Sequence, residues 1–188
     1  MANRPRLFVV SGPAGVGKGT LVARVRDERP NIGLPVSATT RSARPGERDG
    51  VSYHFLTDDE FSARVERGEF LEWAQVHDHR YGTLRSEVDA CLQRGESVIL
   101  EIDVQGGNNV RKVYPDCVRI FIEPPSWDVL VSRLEGRGTE SAQSLALRLK
   151  TARKELTLAG TYDVRIVNDD LDAAVAELSQ TIAQYESQ

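Results

Sequence analysis

The sequence has little cysteine and no long hydrophobic run. Cys91 and Cys117 stand 26 positions apart in a chain of 188 residues, without the cysteine and histidine spacing of a zinc site. We therefore expect two reduced thiols in a cytoplasmic protein rather than a disulfide framework. The first apolar run, Leu7–Val10, ends at a Ser-Gly-Pro turn. A membrane span needs about 18 apolar residues, so neither a transmembrane helix nor a secretory leader is predicted.

The chain also lacks an excess of positive charge. It carries 24 Lys and Arg against 28 Asp and Glu, a formal net charge of −4. General binding to nucleic acid or to an anionic membrane needs a basic surface, so we expect small molecules as partners. The length and the 40% hydrophobic content suit a single globular domain, and no internal repeat is visible. The sequence leaves the oligomeric state open.

A glycine-rich turn follows the first apolar run. In "RLFVVSGPAGVGKGTLVARVRDERP" a short β-branched segment is followed by G-x-x-x-x-G-K and then by apolar residues at helical spacing, so the pattern predicts strand, loop and helix. Glycines let successive N–H groups point inward at phosphates, and the lysine reaches the β- and γ-phosphates. The residues predicted to bind ATP in this loop are Gly12, Pro13, Ala14, Gly15, Val16, Gly17, Lys18, Gly19 and Thr20.

The position after the lysine departs from the usual motif. A Ser or Thr hydroxyl normally holds Mg²⁺ there, and this chain has Gly19. Thr20 could contact an α-phosphate, or the metal could be held through water and phosphates. Asp103, at the end of "SVILEID", could order the Mg²⁺ waters or contact the second substrate. A carboxylate at a strand end also commonly serves as a helix cap.

Three later segments complete a parallel α/β pattern. "SVILEID", "VRIFIEPP" and "VRIVND" are nearly continuous apolar runs, as in parallel strands covered on both faces. Thr57 with Glu60 predicts a capping box, Ser126 predicts a helix start, and "DAAVAELSQTIAQYE" predicts a terminal amphipathic helix. Residues 35–85 and 137–150 interrupt this alternation as polar segments, which are candidates for substrate-binding and lid regions.

These segments together resemble the guanylate kinase family. The resemblance rests on "SATTRSARPGERDGVSYHFLT", "FLEWAQVHDHRYGT", "LEIDVQGG" and "IFIEPPSWDVLVSRLEGRGTES", and extends to "YDVRIVNDD". It implies an α/β fold with a P-loop core and a parallel sheet flanked by helices, an inserted GMP-binding region and a short helical lid. The implied boundaries are a core of about 1–34, 86–125 and 151–188, a GMP-binding region of about 35–85 and a lid of about 126–150.

The same resemblance implies ATP-dependent phosphorylation of GMP to GDP, and of dGMP to dGDP, with Mg²⁺ as cofactor. Guanine offers N1–H and N2 amino donors and an O6 acceptor, so its site needs a carboxylate and hydroxyl donors. An acceptor phosphate suits guanidinium forks and phenol hydroxyls. The implied GMP-binding residues are Ser37, Arg41, Arg44, Tyr53, Glu72, Tyr81, Thr83 and Asp103.

The resemblance also assigns residues to the transfer step. The implied catalytic residues are Lys18, Arg41, Arg137 and Arg148, and the implied ATP-binding residues beyond the loop are Arg133, Arg137 and Asn168. Asn168 could equally be a strand-end turn residue. The family often has two adjacent arginines in its second lid helix, whereas Leu147 precedes Arg148 here. His77 and His79 are interpreted as loop residues, because an anionic acceptor phosphate needs no general base.

Two other functions fit parts of the pattern. A guanylate kinase-like binding module would keep the acceptor arginines and tyrosines but generally lacks an intact phosphate loop, which this chain has. A kinase of the same fold for another acceptor would be expected to lack the set of Glu72, Tyr81 and Thr83. Both features favour a GMP-phosphorylating enzyme.

Overall fold

A computed structural model describes residues 4–76, 78–136 and 142–188. Its elements, in chain order, are β1 (Leu7–Ser11), α1 (Lys18–Glu28), β2 (Ile32–Gly33), β3 (Ser37–Thr39), β4 (His54–Phe55), α2 (Asp58–Glu66), β5 (Phe70–Val76), β6 (His79–Leu84), α3 (Arg85–Gln93), β7 (Ser97–Glu101), α4 (Val104–Val113), β8 (Val118–Glu123), α5 (Trp127–Glu135), α6 (Ala142–Leu156), a 3₁₀ turn (Ala159–Thr161), β9 (Val164–Val167) and α7 (Leu171–Glu186). The predicted strand, loop and helix at the start of the chain are confirmed.

The apolar runs form one parallel five-stranded sheet in the order β2-β7-β1-β8-β9. Strand β1 is central, and Phe8, Val9 and Val10 are fully buried because helices cover both faces. This burial on both sides explains why these strands read as continuous rather than alternating apolar runs. Since the neighbours β7 and β8 lie on opposite sides of β1, the chain leaving β1 enters a crevice at the carboxyl ends of the strands.

Two apolar clusters hold the helices against this sheet. One side carries a cluster that includes Phe8, Leu21, Ile120 and Leu178, and so fixes α1 and α7 to the sheet. The other side carries a smaller cluster around Val9, which also includes buried residues of α3 and α4. The phosphate-binding turn is therefore anchored at both ends, by β1 in the sheet and by α1 in the larger cluster.

The segment between β2 and α3 forms a second sheet in the order β4-β3-β6-β5. Helix α2 covers it, with Phe61 stacked on Phe70 at a centroid distance of 4.3 Å. The predicted capping box at the start of α2 is confirmed, since Thr57 and Glu60 bond reciprocally. The acceptor sheet, as we call this four-stranded sheet, thus has its own small apolar core, separate from the clusters of the parallel sheet.

Two local predictions were wrong. The segment 137–150 was expected to be a polar excursion between helices, yet α6 already begins at Ala142 and extends beyond 150 to Leu156. His79 lies in β6 rather than in a loop, because it pairs with Val76 of β5. His77 and Arg137 lie outside the described residues. Both cysteines are free and buried, and in the described part of the chain no helix is long and apolar enough to cross a membrane.

Candidate active site

The phosphate loop, residues 12–20, joins β1 to α1 at the carboxyl edge of the parallel sheet. A Cβ on Gly12 would lie 2.4 Å from the carbonyl oxygen of Ile122 in the next strand, so only glycine fits there. Gly17 has a left-handed φ of 95° and precedes α1 without a side-chain cap. The first N–H groups of α1 are thus left for an anion, which is the property of a phosphate site.

Lys18 is folded back over the loop. Its Nζ donates hydrogen bonds to the carbonyl oxygens of Gly12 at 2.6 Å and Pro13 at 3.2 Å. These contacts hold the ammonium group against the turn. The ammonium group of the predicted lysine therefore lies against the backbone at the start of the predicted loop.

Asn168 follows β9 and supports the loop from beneath. Its side chain is buried, and Nδ2 donates a hydrogen bond of 2.8 Å to the carbonyl oxygen of Val16. A Cβ on Gly17 would lie 2.5 Å from the same nitrogen. Arg133 donates to the carbonyl oxygen of Asn168 at 3.0 Å, which links α5 to the loop. In this structure the Asn168 amide thus bonds the loop backbone, while the adenine contact implied by the resemblance stays a prediction.

Two carboxylates, Glu101 and Asp103, lie at the carboxyl end of β7. Asp103 caps α4 by accepting a hydrogen bond of 2.7 Å from the N–H of Gly106. It borders a cavity with Glu72 and a second cavity with Lys18. Glu101 borders the phosphate loop beside Gly19 and Thr20, and it also borders a cavity with Glu72 and Thr83. Of the alternatives that the sequence left open for Asp103, the helix cap is present, and its role toward Mg²⁺ waters or the second substrate stays a prediction.

Three predicted guanine-binding residues meet on adjacent strands of the acceptor sheet. Thr83 of β6 pairs with Ser37 of β3 on one side and with Glu72 of β5 on the other. The Thr83 hydroxyl donates a hydrogen bond of 2.8 Å to Oε1 of Glu72. Burial raises the pKa of the Glu72 carboxyl above its usual value, the Thr83 bond opposes this rise, and the negative charge of Asp103 adds to it. The result is a half-buried carboxylate with two hydroxyls beside it.

The predicted phosphate-binding residues lie at the other end of the same sheet. The Arg41 guanidinium lies 5.5 Å from the ring centre of Tyr53, and the Tyr53 and Tyr81 rings meet edge to face at 6.1 Å. Arg41 also donates two hydrogen bonds to Glu47, at 2.9 and 3.0 Å. The side chain of Arg44 is exposed, and its backbone N–H donates to Glu47 at 2.7 Å.

Sequence reasoning missed Glu47. The hydrogen bonds from Arg41, and then the N–H of Arg44, hold the pKa of this carboxyl below its usual range. The spacing "RSARPGE" places both arginines and the glutamate on one turn, so an acidic residue three positions after Arg44 was the available signal. Its contacts make Glu47 the residue that orients the Arg41 fork.

Helix α6 faces the phosphate loop across a cavity. Arg148, Leu147 and Glu155 line this cavity together with Lys18 and Asp103. Burial raises the pKa of the Glu155 carboxyl, and the Lys18 charge opposes that rise. The exposed fraction of Leu147 is 66%, so its side chain is not part of an apolar core. The resemblance implies an arginine at this position. Arg148 is thus brought near the loop, while Arg137 lies outside the described residues.

The donor atoms at the loop suit a hydrated Mg²⁺. Glu101 and Asp103 supply carboxylate oxygens, which this ion prefers, and Mg²⁺ usually takes one or two carboxylates together with phosphates and waters. Among residues 4–76, 78–136 and 142–188, no group of three or more His, Cys, Asp or Glu side chains is arranged to hold a metal. A cation at the loop would therefore depend on nucleotide phosphates for its remaining ligands.

Comparison with known proteins agrees with this geometry. The family model described as guanylate kinase matches residues 4–185. The guanylate kinase of Streptomyces coelicolor is 49% identical over 175 residues, covering 93% of this chain and 89% of the relative. That of Symbiobacterium thermophilum is 48% identical over 184 residues, covering 97% and 87%.

A solved structure gives the same result. The crystal structure of guanylate kinase from Anaplasma phagocytophilum superposes with a TM-score of 0.70 at 30% identity, covering all of this chain and 88% of the other. Its similarity extends the sequence match to the arrangement of the strands and helices. This chain belongs to the guanylate kinase family.

Proposed function

We propose that the phosphate loop and the acceptor sheet are the two halves of one site, which transfers the γ-phosphoryl group of ATP to GMP. The reaction, ATP-dependent phosphorylation of GMP to GDP, follows from membership of the guanylate kinase family. The observation that carries the assignment of residues is Asp103, which borders the cavity of Glu72 and also the cavity of Lys18. An acceptor held by the sheet therefore faces a donor held by the loop.

Guanine is read by the hydroxyl and carboxylate group of the acceptor sheet. In this proposal Glu72 accepts from N1–H and from the N2 amino group, while the hydroxyls of Ser37 and Thr83 face O6. Adenine would present an acceptor at N1 to the same carboxylate and would leave it unpaired. Sites built on such polar pairs discriminate by about 10⁴-fold or more.

The acceptor phosphate is bound at the opposite end of the acceptor sheet. Arg41, Arg44, Tyr53 and Tyr81 supply the charge and the hydroxyl donors, and Glu47 orients the Arg41 fork. Guanidinium groups bind phosphate oxygens bidentately, which fixes the direction in which the attacking oxygen points. That oxygen is already anionic at neutral pH, so no side chain has to remove a proton.

The donor half neutralises the phosphates and excludes water. The loop residues Gly12 to Thr20 bind the triphosphate through N–H groups, and Lys18 leaves its loop carbonyls to reach the β- and γ-phosphates. Arg133, Arg137 and Arg148 add charge where it spreads over the transferring oxygens. Mg²⁺, when bound with ATP, neutralises the phosphate charge and aligns the phosphates. Asp103 stands between donor and acceptor.

The division of the chain into regions, its compartment and its class of partner belong to the same proposal. We assign residues of about 35–85 to GMP binding, about 126–150 to a lid and the rest to a core, and expect closure of the lid to keep water from the γ-phosphate. Two free buried thiols suit a cytoplasmic enzyme of purine nucleotide metabolism. The net charge of −4 suits small-molecule partners rather than nucleic acid.

The assignment is tested by measuring ADP formation with ATP and Mg²⁺ against GMP, dGMP, AMP, CMP and UMP. We expect turnover of GMP and dGMP, and at least about 10³-fold lower kcat/KM for the other three acceptors. Preferred turnover of AMP, or no turnover of any acceptor, would show that the acceptor site is wrongly assigned. Turnover of GMP but not of dGMP would show that the site also reads the ribose 2′-hydroxyl.

A further inference from the structure

An arginine of the core borders the cavity of the three predicted guanine-binding residues. This cavity measures about 220 Å³ and is lined by Ser37, Glu72 and Thr83 of the acceptor sheet and by Arg26 and Glu101 of the core. Pockets for a whole drug-sized ligand measure about 300–1,000 Å³, so this space suits a base rather than a whole nucleotide. Among the described residues that line it, Arg26 is the one cation.

Strand β7 holds the Arg26 guanidinium at the wall of this cavity. Nη2 of Arg26 donates a hydrogen bond of 3.2 Å to the carbonyl oxygen of Ile99, which lines the cavity as well. A guanidinium has five N–H donors, and the Nε of Arg26 is buried without an acceptor. The guanidinium can therefore donate further hydrogen bonds to a ligand in the cavity.

The nearby carboxylate does not account for the placement of Arg26. Burial lowers the pKa of Arg26, and the charge of Glu101 opposes this effect. A role only as the counter-charge of Glu101 would favour a direct ion pair. In the part of the chain that the structure describes, Arg26 makes no ion pair with Glu101 or Glu72 and bonds the backbone of β7 instead. A partly desolvated guanidinium favours a further acceptor.

The order of side chains across the acceptor sheet matches the order of atoms along the edge of guanine. The neighbouring strands β5, β6 and β3 carry Glu72, Thr83 and Ser37 in that order. On guanine, the N2 amino and N1–H donors are followed by the acceptors O6 and N7. With Glu72 on the two donors and Thr83 on O6, N7 points toward the side of Ser37 and β3.

Arg26 lies on that same side. Strand β2 pairs with β7 as far as Gly33 and Val98, and the chain then passes through Leu34 into β3. The carbonyl group that holds Arg26 belongs to the residue after Val98, and Leu34 lines the cavity too. The guanidinium is therefore next to the link between β2 and β3, where N7 is expected.

We propose that Arg26 is a specificity-determining residue, which donates hydrogen bonds to O6 and N7 of the guanine base. A guanidinium fork matches this pair of acceptors, and the same pairing is the commonest specific contact of arginine with guanine in DNA. Adenine carries an amino donor in place of O6 and would turn it toward the fork. The inference rests on the proposed function, to which it adds recognition of a second edge of the base.

The test compares GMP with 7-deaza-GMP, in which a C–H group replaces N7 while N1, N2 and O6 remain. Isothermal titration calorimetry without ATP gives each affinity without turnover. We expect the parent to bind 7-deaza-GMP about tenfold more weakly than GMP, as for one pairing of arginine with guanine. Arg26→Met keeps an apolar stem and removes the donors. It should bind GMP about tenfold more weakly than the parent does, and GMP and 7-deaza-GMP equally.

Two controls separate this contact from a change of the fold. Arg24→Met is the matched variant, because Arg24 lies on the same helix, is exposed and pairs with Asp172 at the surface. It should keep both affinities of the parent. IMP lacks the N2 amino group and so reports on the Glu72 end of the cavity. The ratio of GMP to IMP affinity should be the same in Arg26→Met as in the parent.

The outcomes decide whether Arg26 reads the base. Equal binding of GMP and 7-deaza-GMP by the parent overturns the inference without any variant. A preference for GMP that persists in Arg26→Met also overturns it and assigns N7 to a hydroxyl of the acceptor sheet. If Arg26→Met fails to fold, Arg26→Lys keeps the charge but not the fork, and an undiminished preference there contradicts the proposal. A parent that does not bind GMP overturns the proposed function as well, whereas GMP binding without a preference refutes only the role of Arg26.

Discussion

The phosphate loop and the acceptor sheet are two different solutions to binding a nucleotide. The loop is nine consecutive residues whose backbone forms the site, anchored between a fully buried strand and a helix. The acceptor sheet collects side chains from separate strands, and its groups are ionisable, as with Glu72, Glu47 and Arg41. The loop therefore depends on the space available to its backbone, whereas the acceptor sheet depends on the charge and orientation of its side chains.

This difference predicts how each region fails. A backbone site tolerates changes of charge nearby but not an added Cβ, since a Cβ on Gly12 would meet the Ile122 backbone and one on Gly17 would meet the buried Asn168 amide. A side-chain site tolerates small changes of shape but not the loss of one partner in a charged pair, because the other partner is left uncompensated. The predictions below test this contrast.

The largest effect is expected from Glu72→Gln in the acceptor sheet. The amide keeps the size of the side chain and can still accept from Thr83, but it cannot accept from both guanine donors as a carboxylate does. We expect kcat/KM for GMP to fall about 10³-fold, with little change in the affinity for ADP. The measurement is steady-state turnover at varied GMP, with Glu66→Gln, an exposed glutamate at the end of α2, as the matched control.

The same substitution should stabilise the ligand-free protein. Because burial raises the pKa of Glu72, the folded state holds this proton more tightly than the unfolded state does. The proton bound to Glu72 stabilises the folded state below the unfolded pKa of about 4.3. This contribution is lost as the pH rises through the raised pKa of the folded state. At pH 7 the ionised carboxylate thus costs stability, and Glu72→Gln should melt at a higher temperature than the parent. A melting temperature that falls would mean that the carboxylate, and not the amide, suits the empty site.

A second effect, about 100-fold, is expected from Gly12→Ala in the phosphate loop. The added Cβ would meet the Ile122 carbonyl oxygen at 2.4 Å, and a rigid strand cannot move aside. Displacement of a positioned group by about 1 Å can cost 10²-fold, so ADP affinity should fall by that order and the protein should lose about 2 kcal/mol of stability. Calorimetry with ADP and urea unfolding measure the two changes.

Gly95→Ala is the control for the alanine substitution. Gly95 also has a positive φ, of 82°, but nothing lies within 4 Å of an added Cβ. It should lose only the cost of a left-handed alanine, about 1 kcal/mol, with unchanged ADP affinity. If Gly12→Ala bound ADP as Gly95→Ala does, the view of the loop as a backbone-limited site would be wrong.

The contrast between the regions also decided what the sequence could predict. The strand, turn and helix around the phosphate loop were predictable, because a consecutive motif defines its own local geometry, whereas ATP binding by its residues stays a prediction. The trio of Ser37, Glu72 and Thr83 came from the resemblance, and only strand pairing shows that Thr83 lies between the other two. Glu47 was given no role, since its importance comes from its contacts with Arg41 and Arg44, and the acidic residue three positions after Arg44 was only a weak signal of them.

The third and smallest effect, about tenfold, is expected from Glu47→Gln. This carboxylate accepts two hydrogen bonds from Arg41 and one from the N–H of Arg44, so it fixes the turn that carries both arginines. Without the charge, the Arg41 fork should lose its fixed direction, and the KM for GMP should rise about tenfold while kcat changes little. Glu69→Gln, which removes an exposed ion pair with Arg67, is the matched control and should leave KM unchanged.

A choice of ligand separates orientation from competition at Glu47. Guanosine has the base but no phosphate, so Glu47→Gln should weaken binding of GMP and leave inhibition by guanosine unchanged. Tighter binding of GMP would contradict the prediction, because it would mean that Glu47 competes with the phosphate for Arg41. Equal weakening of both ligands would also contradict it, since the effect would then reach the guanine end of the acceptor sheet. A loss confined to GMP makes Glu47 a positioning residue for the phosphate end alone.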